Sequence, residues 1–219
     1  MKPDVKISEL PLPSIHVSSK RKRQLRQCGE GSARDAIGEI TPGCEIFAIT
    51  NGQFSMIDIL NHVLETTGPA TLDIATWTAA DGDIRKAHAF LVSGMVTDIR
   101  LIVDPSFKSR KPEFCNLLTS IFKPDSIRTV PLHGKFSNIR NDKWNIAIRS
   151  SMNLNVNKRI ETLEISDDAK LSDFMKRFAD DVFLANSPHA NFTSQSKSIN
   201  NRHDQSALPP FGLPPKLCF

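Results

Sequence analysis

From residue 44 to residue 130 the chain alternates short apolar runs with stretches of helical period, and that rhythm leaves few ways to fold. Cys44 to Thr50 is an apolar run ending in Asn51-Gly52, which reads as a strand and a turn. Ser55 then caps a helix over 56–66 whose Ile57, Leu60, Val63 and Leu64 share one face, and Gly68-Pro69 stops it. Thr71 to Thr76 is the next expected strand, Asp81 or Asp83 caps a helix to about Gly94, and Ile99 to Val103 is a buried strand closed by Asp104-Pro105. A helix over 109–122 puts Phe114, Leu117, Leu118 and Ile121 on its apolar face, Pro124 ends it, and Ile127 to Val130 resumes the sheet. Short strands joined by crossover helices imply parallel neighbours with right-handed connections.

After residue 130 the rhythm changes. Strands are expected over about 135–141, 144–149 and 161–165 with no helix between them, and Asn141-Asp142 is a hairpin signal. A last helix, Asp168 to about Leu184, spaces Leu171, Phe174, Met175, Phe178, Val182 and Phe183 as a core-facing stripe. The fold class is therefore α/β, a mixed, mainly parallel sheet flanked by helices, with antiparallel strands added by the hairpin. The domain is expected to occupy residues 37–186. Residues 1–36 are rich in Pro, Ser and charge, with Pro3, Pro11 and Pro13 blocking early helix, and read as a flexible basic arm with at most a short helix at Lys20 to Gln27. Residues 187–219 are Ser, Asn, Gln and Pro with few large apolar side chains, a composition that cannot bury a core, and read as a disordered tail.

Composition narrows the function classes. No apolar run approaches the roughly 18 residues of a membrane helix, and a mean hydropathy of −0.26 agrees. Met1-Lys2-Pro3-Asp4 leads into polar sequence and not an apolar signal core, so the cytoplasm is the expected location. Cys28, Cys44, Cys115 and Cys218 are far apart with no C-x-x-C pair, which argues against a zinc site and a disulfide framework. The net charge of +4 is mild but unevenly spread. Lys20, Arg21, Lys22, Arg23 and Arg26 form one basic run, which either engages a phosphate backbone by counterion release or is a solvated charge run. Lys108, Arg110 and Lys111 form a second cluster at a strand end, where a phosphate could also pass.

One constellation carries chemistry: His133, Lys135, Ser151, Asn153 and Glu161. On a strand, alternate residues share a face, so His133 and Lys135 would project side by side, as would Ser151 and Asn153. A neutral imidazole can attack phosphorus and form a covalent intermediate while an ammonium neutralises the non-bridging oxygens. Ser151 and Asn153 offer further donors, and Glu161 would hold one ring nitrogen so that the other is free. Attack by one imidazole also needs a proton for the leaving alkoxide, which a second imidazolium would supply. His16, His62, His88, His189 and His203 all lie outside any H-x-K pattern, so a second copy of the chain is the simplest source and a homodimer is expected. Trp77, emerging at a strand end, either stacks on a base or is a rim aromatic covering the core.

These residues resemble the phospholipase D superfamily, whose signature is H-x-K-x4-D followed by a G-S-x-N-like element and a later glutamate, and most of all its single-motif branch of bacterial and phage nucleases. His133 and Lys135 match the H-x-K, Ser151 and Asn153 the S-x-N, and Glu161 the glutamate. Arg140 stands where the family has Asp, with Asp142 two residues on, and Ser150 replaces the glycine. The resemblance implies a phospholipase D-like fold and a metal-independent phosphodiesterase, a dimeric nuclease acting through a phosphohistidine with no cofactor. Its catalytic residues would be His133, Lys135, Asn153 and Glu161, with Ser151, Trp77, Lys20, Arg21, Lys22 and Arg23 binding nucleic acid. The Arg140 departure keeps open a catalytically silent nucleic-acid-binding module. Lipid head-group hydrolysis fits the superfamily name, but no amphipathic membrane segment is visible.

Overall fold

Backbone pairing in the computed structural model follows the apolar rhythm closely; it describes residues 15–18 and 22–186, the side chains from Arg23 onward. The strands are β1 (Ile15–Ser18), β2 (Lys22–Cys28), β3 (Cys44–Thr50), β4 (Ala70–Thr76), β5 (Val96–Val103), β6 (Ile127–Thr129), β7 (Phe136–Arg140), β8 (Asn145–Ser150) and β9 (Glu161–Asp167). The helices are α1 (Ala33–Ile37), α2 (Met56–Thr67), α3 (Asp81–Val92), α4 (Ser106–Arg110), α5 (Pro112–Ile121) and α6 (Ala169–Ala185). All nine strands join one mixed sheet in the order β1-β2-β3-β9-β8-β7-β4-β5-β6. The β2–β3, β4–β5 and β5–β6 joins are parallel. Because β7 and β9 run against their neighbours, the joins around them are antiparallel, as is β1–β2.

Each face of the sheet buries a different set of side chains. Leu72 and Ile74 of β4 belong to the large core shared with α1, α2, α3, α4 and α5. Ala75 and Ile102 pack instead with Ala179 and Val182 of α6. Polar bonds fasten α6 to its face. Arg100 on β5 donates to Asp73 on β4 at 2.6 and 2.8 Å and to Asp180 on α6 at 2.7 Å. Asn138 on β7 exchanges hydrogen bonds with Ser172, accepting from its hydroxyl at 2.7 Å and donating to its carbonyl at 3.0 Å. Local signals start and stop α2 and α6 as expected: Ser55 and Asp58 form a capping box on α2 and Gly68 closes it, while the Asp168 carboxylate caps α6 through Lys170 and Leu171. The cap expected of Asp81 or Asp83 on α3 is corrected: its N-cap is Ala80, and both aspartates lie inside the first turn.

Two further expectations are corrected. Lys22–Cys28, assigned to the arm and to a possible helix, is a strand paired in parallel with β3, and α1 follows it with its own Ser32–Asp35 capping box. The strand was hidden because Lys-Arg-Gln-Leu-Arg-Gln-Cys has no apolar alternation; its partners are the β3 backbone and Glu45, which takes the Arg23 guanidinium. The sheet thus includes residues before 37. The helix expected over 109–122 is broken at Lys111 (φ −145°, ψ 65°), because Pro112 drives the residue before it out of the helical region. Lys20, Arg21 and the tail over 187–219 lie outside the described residues. Among those described, no helix is long and apolar enough to cross a membrane.

Candidate active site

Strand direction gathers five segments at one end of the sheet. Phe136 at the start of β7 pairs with Ala75 near the end of β4 and with Arg149 near the end of β8, and Ser150 pairs with Leu163 near the start of β9. β5 ends at the same level as β4, with Val103 beside Thr76. Thr76-Trp77, Asp104, His133-Lys135, Ser151-Asn153 and Glu161 therefore converge there.

His133 and Lys135 lie in the extended segment just before β7 and not inside a strand. They still project together: the Lys135 Nζ is 3.4 Å from His133 Nδ1 and 3.3 Å from Nε2, so the ammonium sits over the ring and not in line with either nitrogen. The Lys135 carbonyl accepts from Ser150 N at 3.0 Å, carrying the β7–β8 ladder one step further and fixing the lysine. Burial lowers the Lys135 ammonium from its ordinary value of 10.5, and the Glu161 carboxylate opposes that shift. On its other side the His133 ring meets Trp77 edge-on, with centroids 5.7 Å apart. Arg110 lies 3.5 Å over the Trp77 ring and donates to the Trp77 carbonyl at 2.7 Å, so the indole is held by both face and backbone. The segment before His133 is tethered by Leu132 N to the Asp104 carboxylate at 2.9 Å. Burial alone would push the Asp104 carboxyl up, but bonds from Ser106 and Leu132 and the Arg110 charge hold it below the usual carboxylate range.

Ser151 and Asn153 lie in the β8–β9 connection, just past the strand end. The Thr76 hydroxyl gives its one proton to the Thr78 carbonyl at 2.8 Å and lies 3.4 Å from Asn153 Oδ1, and among the described residues no hydrogen bond takes up the Asn153 amide N–H groups. Glu161 is 7% exposed and accepts from the Ser151 hydroxyl and from Asn157 Nδ2 at 3.3 Å. Among the described residues no hydrogen bond joins Glu161 to His133; the carboxylate acts instead on Lys135 through its charge. The expected orienting contact to the imidazole is thus absent within one chain. Asn157 and Asp104 were not read from the sequence as site residues, since nothing in their local spacing marks them.

Of the basic run, Arg23 lies elsewhere. Arg23 sits at the start of β2 opposite Glu45, while Glu161 pairs with Thr50 at the other end of β3. The five-residue offset along β3 is about 17 Å at ~3.3 Å per residue. Arg23 donates to Glu45 at 2.8 Å through Nε, and the Lys22 side chain lies outside the described set with Lys20 and Arg21. Arg140 is likewise at the far end of β7, bonded to Asp173 at 2.7 Å, so the residue in the motif aspartate's position does not touch the site. Among the described residues no three of His, Cys, Asp and Glu cluster so as to hold a metal ion.

No protein-family model matches this chain, and no curated protein matches it. Solved structures do. It is similar to NucT from Helicobacter pylori at 15% identity and TM-score 0.46, over 66% of this chain and 99% of that one. It is similar to Nuc, a phospholipase D family member from Salmonella typhimurium, at 13% identity and TM-score 0.48, over 66% of this chain and 97% of that one. TrmBL2, an archaeal chromatin protein with its own mode of DNA binding, gives 10% identity and TM-score 0.44 over 69% of this chain and 55% of that one. The likeness in each case is one of fold.

Proposed function

We propose that this chain hydrolyses phosphodiester bonds of nucleic acid by covalent catalysis at His133 in a homodimer, with no metal or cofactor in the reaction. The observation that supports this best is the Lys135 ammonium 3.3–3.4 Å from both ring nitrogens of an exposed His133, at the sheet end where Asn153 keeps its amide donors free. A neutral His133 attacks phosphorus, forming the P–N bond, and the P–O bond to the leaving group breaks. The alkoxide takes a proton from the imidazolium of His133 in the second copy. Water then attacks the phosphohistidine, the same second imidazole takes its proton, and the P–N bond breaks. Lys135 and the Asn153 amide hold the non-bridging oxygens, and Ser151 and Glu161 hold the lysine's surroundings in place. Trp77 is the aromatic wall against which a base or sugar rests.

One observation favours a second reading, a silent binding module: within a single chain His133 has Lys135 and Trp77 as neighbours but no carboxylate among the described residues. Turnover of a single-stranded oligonucleotide in excess EDTA separates the two. The proposed chemistry gives cleavage unchanged by the chelator. Cleavage that appears only on adding magnesium contradicts it, and binding with no cleavage in either condition selects the silent module.

A further inference from the structure

His133 is flanked on both sides by cations that the fold holds in place and leaves without acidic partners. On one side α4, which follows β5, carries Lys108, with Lys111 just beyond it; on the other, the connection from β8 to β9 carries Lys158 and Arg159. All four are exposed, and none forms an ion pair among the described residues. Lys111 instead rests near an aromatic face, its Nζ 5.5 Å from the centre of the Phe114 ring. Carboxylates at the same end are mostly engaged: Asp58 by Lys86, Asp81 by Arg85, Asp104 by Ser106 and Leu132, and Glu161 by Ser151 and Asn157. Glu30, beyond the end of β2, and Glu113, at the start of α5, are exposed exceptions.

Both flanks are anchored. Gly52 (φ +65°) approaches the β8–β9 connection so closely that a Cβ there would lie 1.8 Å from the Asn157 carbonyl oxygen and 2.8 Å from that of Arg159. Asn157 is also bonded to Glu161. On the other side Arg110 is stacked on Trp77 and Ser106 is bonded to Asp104, which fixes α4 against the site. Charge presented from a rigid support loses little freedom on meeting a ligand. Four strand steps separate β9 from β5 in the sheet order. At ~4.8 Å per step that is about 19 Å, too far for both flanks to reach one phosphate.

We propose that Lys158 and Arg159 on one side and Lys108 and Lys111 on the other grip phosphates flanking the one held at His133, so that the ligand is a single nucleic-acid strand lying across the end of the sheet. The inference rests on the phosphodiesterase reading of His133 and names its substrate class: a polymer crossing the site, not a phosphomonoester or a lipid head group. Two paired variants, K158Q/R159Q and K108Q/K111Q, test it with two readouts. Turnover of bis(4-nitrophenyl) phosphate probes only the His133 position, and fluorescence anisotropy of a labelled 12-nucleotide oligothymidylate over a salt series probes the flanks. Each pair is expected to leave small-diester turnover within about twofold, to weaken oligonucleotide binding about tenfold, and to flatten the log–log salt slope by about 1.4, at ~0.7 for each single-strand phosphate that is no longer neutralised. Unchanged affinity and slope in either pair overturns the two-sided track. If the unaltered protein does not turn over the small diester, the chemistry at His133 fails, and the track still stands or falls on the anisotropy.

Discussion

At the far end of the sheet Arg23 meets Glu45 and Arg140 meets Asp173, whereas at the His133 end Lys108, Lys111, Lys158 and Arg159 stand without acidic partners among the described residues. Both ends are built from the same strands, so the contrast comes from side-chain choice and not from architecture. Surface ion pairs of the first kind contribute little to stability, typically under about 1 kcal/mol. Unpaired cations of the second kind repel one another and lower stability slightly unless an anion joins them. Arg23 and Arg140 are thus each neutralised by a carboxylate, while the four cations at the His133 end remain available to an anion, around a lysine that burial already makes easier to deprotonate.

The contrast breaks most visibly at Lys135. Lys135→Ala is expected to lower kcat for oligonucleotide cleavage by about 10²–10³-fold, the usual cost of removing one group that stabilises developing charge, while leaving thermal unfolding nearly unchanged. Its lowered pKa fixes the sign of the pH response. The charged form is present at low and neutral pH and is lost as pH rises through a value below 10.5, so the alkaline limb of kcat/KM should fall earlier than for an ordinary lysine. Lys135→Arg, which stays charged, should remove that limb.

Between the two ends lies the Arg100 junction, where an arginine 20% exposed is shared by Asp73 and Asp180. Arg100→Ala leaves the largely buried Asp73 without its cation and should cost about 3 kcal/mol in urea unfolding. If oligonucleotide affinity falls no more than the folded fraction does, the junction only holds α6.

The smallest effect is expected at the far end. Arg140→Asp supplies the aspartate of the H-x-K-x4-D pattern but places it beside Asp173. The expected outcome is a loss of about 1 kcal/mol in stability and no gain in cleavage. A rise in turnover would show that the far end of β7 does reach the chemistry.

How much of this the residues announce depends on what kind of signal carries it. Ser55, Gly68 and Asp168 bound their helices because caps and stops are local, and the structure places α2 and α6 within a residue or so of the bounds they imply. The His133–Lys135 contact was also legible: the two face together even though the segment lies just outside the strand, because an extended chain keeps the period of two. β2 was not legible, since its stability comes from a partner strand far along the chain and its own residues are polar. The Glu161 contacts were hidden for a similar reason. Spacing shows that a carboxylate can reach the site, but only the fold shows that Ser151 and Asn157 claim it. Nor does charge density along the sequence show where a cation ends up: β2 carries Arg23 to the far end of the sheet, and two sparse pairs lie at the His133 end.

The central claim is that His133 becomes covalently attached to phosphorus. A single-turnover reaction with an oligonucleotide, quenched in denaturant at alkaline pH and digested for mass spectrometry, reads this directly, because a phosphoramidate on histidine survives base and is hydrolysed in acid. The expected result is a transient acid-labile adduct on the peptide containing His133, absent from His133→Ala, whose cleavage should fall by about 10⁴-fold. Cleavage at full rate with no adduct, or an adduct on a different residue, contradicts the account.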